Sequence, residues 1–171
     1  MRKFANFALF QVAWYASVEA ASRGSVWIGP LAVALLLLAH LAWLGMRMRD
    51  VGIALLVGLA GGALDSGLLN AGVLAYPGSH GSWPDVLAPP WIAGLWAAFA
   101  TLPRLSMAWL ADRPIAAALL GAVGGPLSYR AGMAMGAVAV PASDLLTYGA
   151  LALEYAIATP LLLRLLTRER A

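Results

Sequence analysis

Six long apolar runs, over residues 4–22, 26–45, 51–76, 90–111, 115–140 and 144–166, take up nearly all of this 171-residue chain. A helix needs roughly 20 apolar residues to cross a bilayer. The chain is 62% hydrophobic and 11% charged, with a mean hydropathy of +0.81. An ordinary soluble domain carries about 25% charged residues, so this chain has too little charge to coat a globule in water. The runs predict an all-α polytopic membrane helix bundle, with six transmembrane helices forming one domain over 1–171. Strands cross lipid only as closed barrels, which show alternating residues. Leu35-Leu36-Leu37-Leu38 does not alternate.

Charge sets the expected topology. With the N-terminus inside, the cytoplasmic segments hold Arg2, Lys3, Arg47, Arg49, Arg113, Arg164, Arg168 and Arg170, against Arg23 alone outside. That bias follows the positive-inside rule and puts both termini in the cytoplasm. The net charge of +3 is therefore topogenic, and no nucleic-acid partner is implied. The loop 77–89 is expected outside, as a connector or a lid. Arg2-Lys3, the first apolar run and Val18-Glu19-Ala20 loosely mimic a cleavable signal. Gln11 and the bulky Trp14-Tyr15 pair make a poor signal core.

Several chemistries are excluded or unsupported. The chain has no cysteine and two histidines, His40 and His80, so thiolate chemistry is excluded and a His-rich metal site is not expected. There is no Gly-x-Ser-x-Gly, no His-Glu-x-x-His, no phosphate-binding loop and no dinucleotide fingerprint. Only one aspartate lies deep in an apolar run, which disfavours a two-Asp protease. No cofactor and no metal are implied.

What remains is a set of ionisable groups where a charge is costly: Asp65, Arg104, Arg130 and Glu154. Such groups pair, line a cavity or serve a task. At 1.5 Å per residue, Asp65, Arg130 and Glu154 fall on one level near mid-membrane. They are expected to form a charge cluster, either an ion pair that fixes register or a pocket. In the pocket reading Arg130 clamps an anion while Tyr129, Ser128 and Asn70 supply hydrogen bonds. Arg104 falls level with His40, a second polar cluster nearer the cytoplasm. Trp27, Trp43, Trp83, Trp91 and Trp109 read as interfacial belt residues. Trp14 and Trp96 lie deeper, as pocket or core residues.

The second half echoes the first. Gly58-Leu-Ala-Gly61-Gly62-Ala-Leu64 resembles Gly121-Ala-Val-Gly124-Gly125-Pro-Leu127, and Gly72-Val-Leu-Ala-Tyr-Pro77 resembles Gly136-Ala-Val-Ala-Val-Pro141. Trp27-Ile28-Gly29 likewise matches Trp91-Ile92-Ala93. The matching helices run the same way, which gives a parallel repeat about the membrane normal. The alternative is chance among Gly, Ala and Leu. The glycines of helices 3 and 5 suit close helix packing. Gly124, Gly125 and Pro126 are expected to break helix 5, since proline cannot donate to the ladder.

At Phe10-Gln11-x-x-Trp14-Tyr15, Leu64-Asp65-Ser66, Pro90-Trp91-x-x-x-Leu95-Trp96-x-x-Phe99 and Gly124-Gly125-Pro126-Leu127-Ser128-Tyr129-x-Ala131-Gly132, the chain resembles a family of small bacterial inner-membrane proteins catalogued as a domain of unknown function. The resemblance spans nearly the whole chain. It implies an inner-membrane location and no established activity. Pro103-Arg104 departs from the polar pair, such as Asn-His, that the fourth helix carries in that family.

Three functions fit the sequence. One is a protein that binds or moves a small amphipathic or anionic molecule, a lipid among the candidates. A second is a lipid-modifying enzyme with Asp65 or Glu154 as acid or base. A third is an accessory subunit that docks on a membrane-protein partner. Its size and helix number resemble the substrate-binding subunits of energy-coupling vitamin transporters, with Ala13, Ala16 and Ala20 as the docking face.

Overall fold

A computed structural model describes residues 1–167; Arg168 and Arg170, counted toward the topology above, lie outside the described residues. The described chain forms six α-helices and no named strand. They are α1 (Arg2–Ser22), α2 (Ile28–Ala39), α3 (Met48–Asn70), α4 (Pro90–Phe99), α5 (Pro114–Ala134) and α6 (Asp144–Thr167). α2 runs on into a π-helical turn, His40–Leu44. α3 packs on α4 and α5 on α6, while α1 packs on α2 and both lean on α4.

Two helices, α3 and α6, are long and apolar enough to cross a membrane. The fourth run differs most from its expected span. α4 stops at Phe99, and residues 100–113 continue in turns. Pro103 lacks an N–H, and its ring would clash with the Phe99 carbonyl in a continuing helix. Thr101 Oγ1 instead donates to the Ala98 carbonyl at 2.7 Å.

α3 and α5 end before their expected limits, and they end alike. Gly72 and Gly136 take positive φ, +70° and +82°, which glycine adopts without steric cost. Around Gly72, Ala71 N donates to Gly67 O, Gly72 N to Leu69 O and Val73 N to Leu68 O. Sixty-four residues on, Met135 N donates to Ala131 O, Gly136 N to Met133 O and Ala137 N to Gly132 O. Both are Schellman ends, in which the left-handed residue lets the next amides return to the last turn. Just beyond them, Ala75 N donates to Ala139 O and Ala139 N to Ala75 O, each at 2.8 Å. A reciprocal pair of that kind has local two-fold symmetry.

Pro126 does not break α5. The helix runs from Pro114 to Ala134 with Pro126 inside it, so the expected break at Gly124, Gly125 and Pro126 is absent. Proline there removes one donor to the Ala122 carbonyl without ending the helix, a defect that neighbouring helices can accommodate in membrane proteins. Two glycines permit close approach. A Cβ at Gly61 would lie 2.0 Å from Trp96 Cγ, and one at Gly125 would lie 2.4 Å from the Tyr155 ring.

The loop after α3 is largely exposed but pinned at a few points. Asn70 Nδ2 donates to Ser66 O at 2.6 Å and to Val86 O at 2.8 Å. Ala88 N donates to Ser66 Oγ at 2.9 Å. Trp83 meets Trp27 edge-on, with ring centroids 5.8 Å apart. Ala13 and Ala20 are buried inside the bundle, so they do not present the outward docking face expected of them.

Candidate functional site

Asp65 is the polar centre of the fold. It is 0% exposed and accepts three hydrogen bonds. Tyr76 Oη donates to Oδ1 at 2.7 Å, Tyr129 Oη donates to the same oxygen, and Trp96 Nε1 donates to Oδ2 at 2.8 Å. These donors come from the segment after α3, from α5 and from α4, so one carboxyl fixes three elements. Burying a charge or a polar group is tolerable when its hydrogen bonds are made. Trp96 stacks on Tyr155 with centroids 4.8 Å apart and planes 21° off parallel. Tyr129 and Phe99 also pack against Tyr155.

The other members of the expected charge cluster are placed differently. Glu154 lies within electrostatic reach of Asp65, and neither of its buried oxygens has a hydrogen-bond partner. Arg130 is exposed on α5. Among the described residues it makes no ion pair with Asp65 or Glu154. Tyr129 and Arg130 are neighbours, and one helical step turns a side chain by about 100°. With Tyr129 turned in toward Asp65, Arg130 is turned away. Asn70 is also outside the site, holding the loop described above.

Beside this hub lies a cavity of about 460 Å³ between α1, α4, α5 and α6. Phe10, Gln11 and Trp14 of α1 face Gly124, Leu127 and Ser128 of α5 across it, and Trp96, Tyr129 and Tyr155 form its back wall. None of its lining residues is charged. Trp14 Nε1 donates to Ser128 Oγ at 2.9 Å, the one hydrogen bond between α1 and α5 among the described residues. Gln11, Gly124 and Leu127 are exposed, so the cavity opens sideways between two helices. Thr159 lines it too, and its buried hydroxyl has no partner.

The second cluster forms near the opposite ends of the helices. Asp50 pairs with Arg104 and accepts from Arg47 N at 3.0 Å, at the start of α3. His40 and Arg104 line one small cavity of about 30 Å³ with Asp50 and Thr101. His40 Nδ1 bonds Leu36 O at 2.7 Å, and its Nε2 faces Asn6 Nδ2 at 2.8 Å. The carbonyl can only accept, so Nδ1 carries the proton and Nε2 accepts from Asn6. Asn6 Nδ2 also donates to Thr101 O at 3.2 Å. Its Oδ1 accepts from Ser106 N at 3.2 Å and Ser106 Oγ at 2.6 Å. Asn6 thus satisfies the irregular backbone after α4.

Asn6, Asp50, Tyr76 and Tyr155 were not singled out by the sequence. An amide inside the first apolar run was a usable signal for Asn6. The two tyrosines carried none apart from being aromatic in apolar surroundings.

The fold and site define a helical protein with a closed carboxyl–aromatic hub beside an apolar cavity. The chain belongs to the family described as protein of unknown function (DUF2878), whose profile matches residues 3–161. No curated protein and no solved structure matches it.

Proposed function

We propose that this is an integral protein of the bacterial inner membrane, with all six helices in the bilayer, that binds an amphipathic molecule such as a lipid in the cavity between α1 and α5. The location rests on the family resemblance and on the charge bias of the loops. Embedding is supported by what the surface carries. The apolar windows of α3 and α6 are only 22% and 28% buried, unlike the core helices of a soluble protein. Leu31, Leu35 and Leu38 on α2 and Leu153, Ile157 and Leu161 on α6 all point outward. Exposed apolar area on that scale calls for an apolar surrounding. α4 is about 15 Å long, half a bilayer. The first of the turns that follow it, over residues 100–103, is buried, as irregular backbone must be at membrane depth.

The observation that carries the binding reading is the uncharged, aromatic-walled cavity with a sideways opening. It favours an amphipathic occupant over an anion, because no cation lines it. Catalysis by Asp65 or Glu154 draws no support from the cavity, since neither residue lines it.

Gly124 provides the test. It lines the cavity, and a Cβ there would meet nothing within 4 Å. Gly124→Leu should fold as wild type while filling the space. Native mass spectrometry of the mildly solubilised protein, with extraction and identification of co-purified molecules, should find a defined adduct in wild type and lose it in the variant. The same adduct at the same occupancy in Gly124→Leu would sink the proposal.

A further inference from the structure

Resting on the embedding and orientation proposed above, but not on the cavity, we infer that the outer face of α5 and α6 holds a second site, for one anionic phospholipid of the cytoplasmic leaflet. An acyl chain lies in a furrow between the two helices, and Arg164 holds the phosphate. The furrow comes from side-chain size. Ala118 and Ala122 of α5 and Ala156 and Pro160 of α6 line it with short side chains. Ile115, Leu119, Ile157 and Leu161 line it too and are each more than half exposed, so they stand as its walls.

The extent of the furrow selects a lipid over a partner helix. Its lining runs from Pro114 to Ala122 on α5 and from Ala156 to Arg164 on α6, about 12 Å along each helix. One leaflet's hydrocarbon is about 15 Å deep, and a transmembrane helix crosses about 30 Å. A furrow that ends near mid-depth fits a chain from one leaflet, whereas a docked helix would need it to continue.

Charge selects the headgroup. The two helices run antiparallel, and a Cβ at Gly121 would meet Tyr155 and Thr159, so Arg164 falls level with Pro114. α5 starts there with no side-chain cap, which leaves its first amides and the positive end of its dipole at the mouth of the furrow. Arg164 lines the furrow, is exposed and makes no ion pair among the described residues. Arg113 lies one residue before Pro114, over the Trp109 ring at 5.9 Å. Asp112 precedes Arg113, so two cations face one acid and the mouth keeps an excess of positive charge. Basic groups at the cytoplasmic surface attract anionic lipids. A zwitterionic headgroup brings its own cation and gains less there.

Palmitoyl-oleoyl phosphatidylglycerol and palmitoyl-oleoyl phosphatidylcholine are titrated separately into the protein in mild detergent, and bound stoichiometry is read by native mass spectrometry. Wild type should bind one phosphatidylglycerol about fivefold or more tighter than phosphatidylcholine. Arg164→Gln should weaken phosphatidylglycerol about fivefold, the worth of one basic group at an anionic membrane surface, and leave phosphatidylcholine unchanged. Ala122→Leu fills the furrow and should weaken both lipids. Both substitutions face the bilayer, so circular dichroism and melting temperature should match wild type. Equal binding of the two lipids, or a preference indifferent to Arg164→Gln, overturns the inference. So does a dimer that Ala122→Leu dissociates, which would give the furrow to a second copy of the chain. Loss of phosphatidylglycerol in Gly124→Leu but not in Ala122→Leu would place the lipid in the cavity between α1 and α5, so that only this inference fails. Binding that follows Arg164 and Ala122 while Gly124→Leu keeps every adduct supports the furrow and sinks the cavity reading alone.

Discussion

Replacing Asp65 by alanine removes the acceptor that, among the described residues, Tyr76, Tyr129 and Trp96 share. All three donors are buried, so none can turn to water. Leaving a buried donor unpaired costs about 1–3 kcal/mol, so three cost about 3–9 kcal/mol. That rivals the whole stability of an ordinary domain, about 5–15 kcal/mol. The lower end applies where the unfolded chain, still in the micelle, also finds partners for these donors. Asp65→Asn keeps the shape and one carbonyl, and the tyrosine hydroxyls can accept from its amide, so it should lose much less. The decisive variant joins Asp65→Leu to Tyr76→Phe and Tyr129→Phe. It leaves only the Trp96 N–H unpaired and should recover most of the loss. Unfolding by SDS titration in mixed micelles, followed by tryptophan fluorescence and circular dichroism, measures each step. Asp65→Ala within about 0.5 kcal/mol of wild type, the ordinary range for an inert site, would refute the hub. So would phenylalanine substitutions that recover nothing. Arg130→Ala serves as the control and should be near neutral; a loss as large as that of Asp65→Ala would restore the ion-pair reading.

Gly61→Ala should destabilise by about 1–3 kcal/mol through overpacking, because Trp96 is held on both faces and cannot withdraw from the new Cβ. Gly67→Ala, in the same helix with open space around it, should stabilise by up to about 1 kcal/mol; the same SDS titration separates the two. Asn6→Leu strands at least the Thr101 carbonyl and the Ser106 amide, a loss of about 2–6 kcal/mol, and should expose residues 100–106 to hydrogen exchange.

The sequence made the hub findable because Asp65 is an acid in a helix of small and apolar residues, where nothing local can satisfy it. Trp14 and Trp96 were findable because they fall deep within their apolar runs, away from the run ends where tryptophan is expected in a membrane helix. The partners were not legible. Level along a helix follows from residue number, but facing depends on rotation, and a residue next to an inward one turns outward. Arg130 was lost for that reason. α4's early end was hidden because residues 100–111 are as apolar as a helix would be; only Pro103 marked the stop. Asp50 lies at a helix start, the usual place for an acid, and nothing in the sequence marks it as the partner of Arg104.

The spacing that relates the two Schellman ends also separates Asp65 from Tyr129, which touch. Were the two halves of the chain identical, this meeting point would bring like against like. Two carboxyls in contact cannot both ionise, and two tyrosines would leave the Trp96 indole without its acceptor. The acid–phenol pair works only because its members differ. Whatever history produced the echo between the halves, position 65 and position 129 are the place where drift toward sameness is forbidden. A chimera made by copying either half over the other should lose its fold there first.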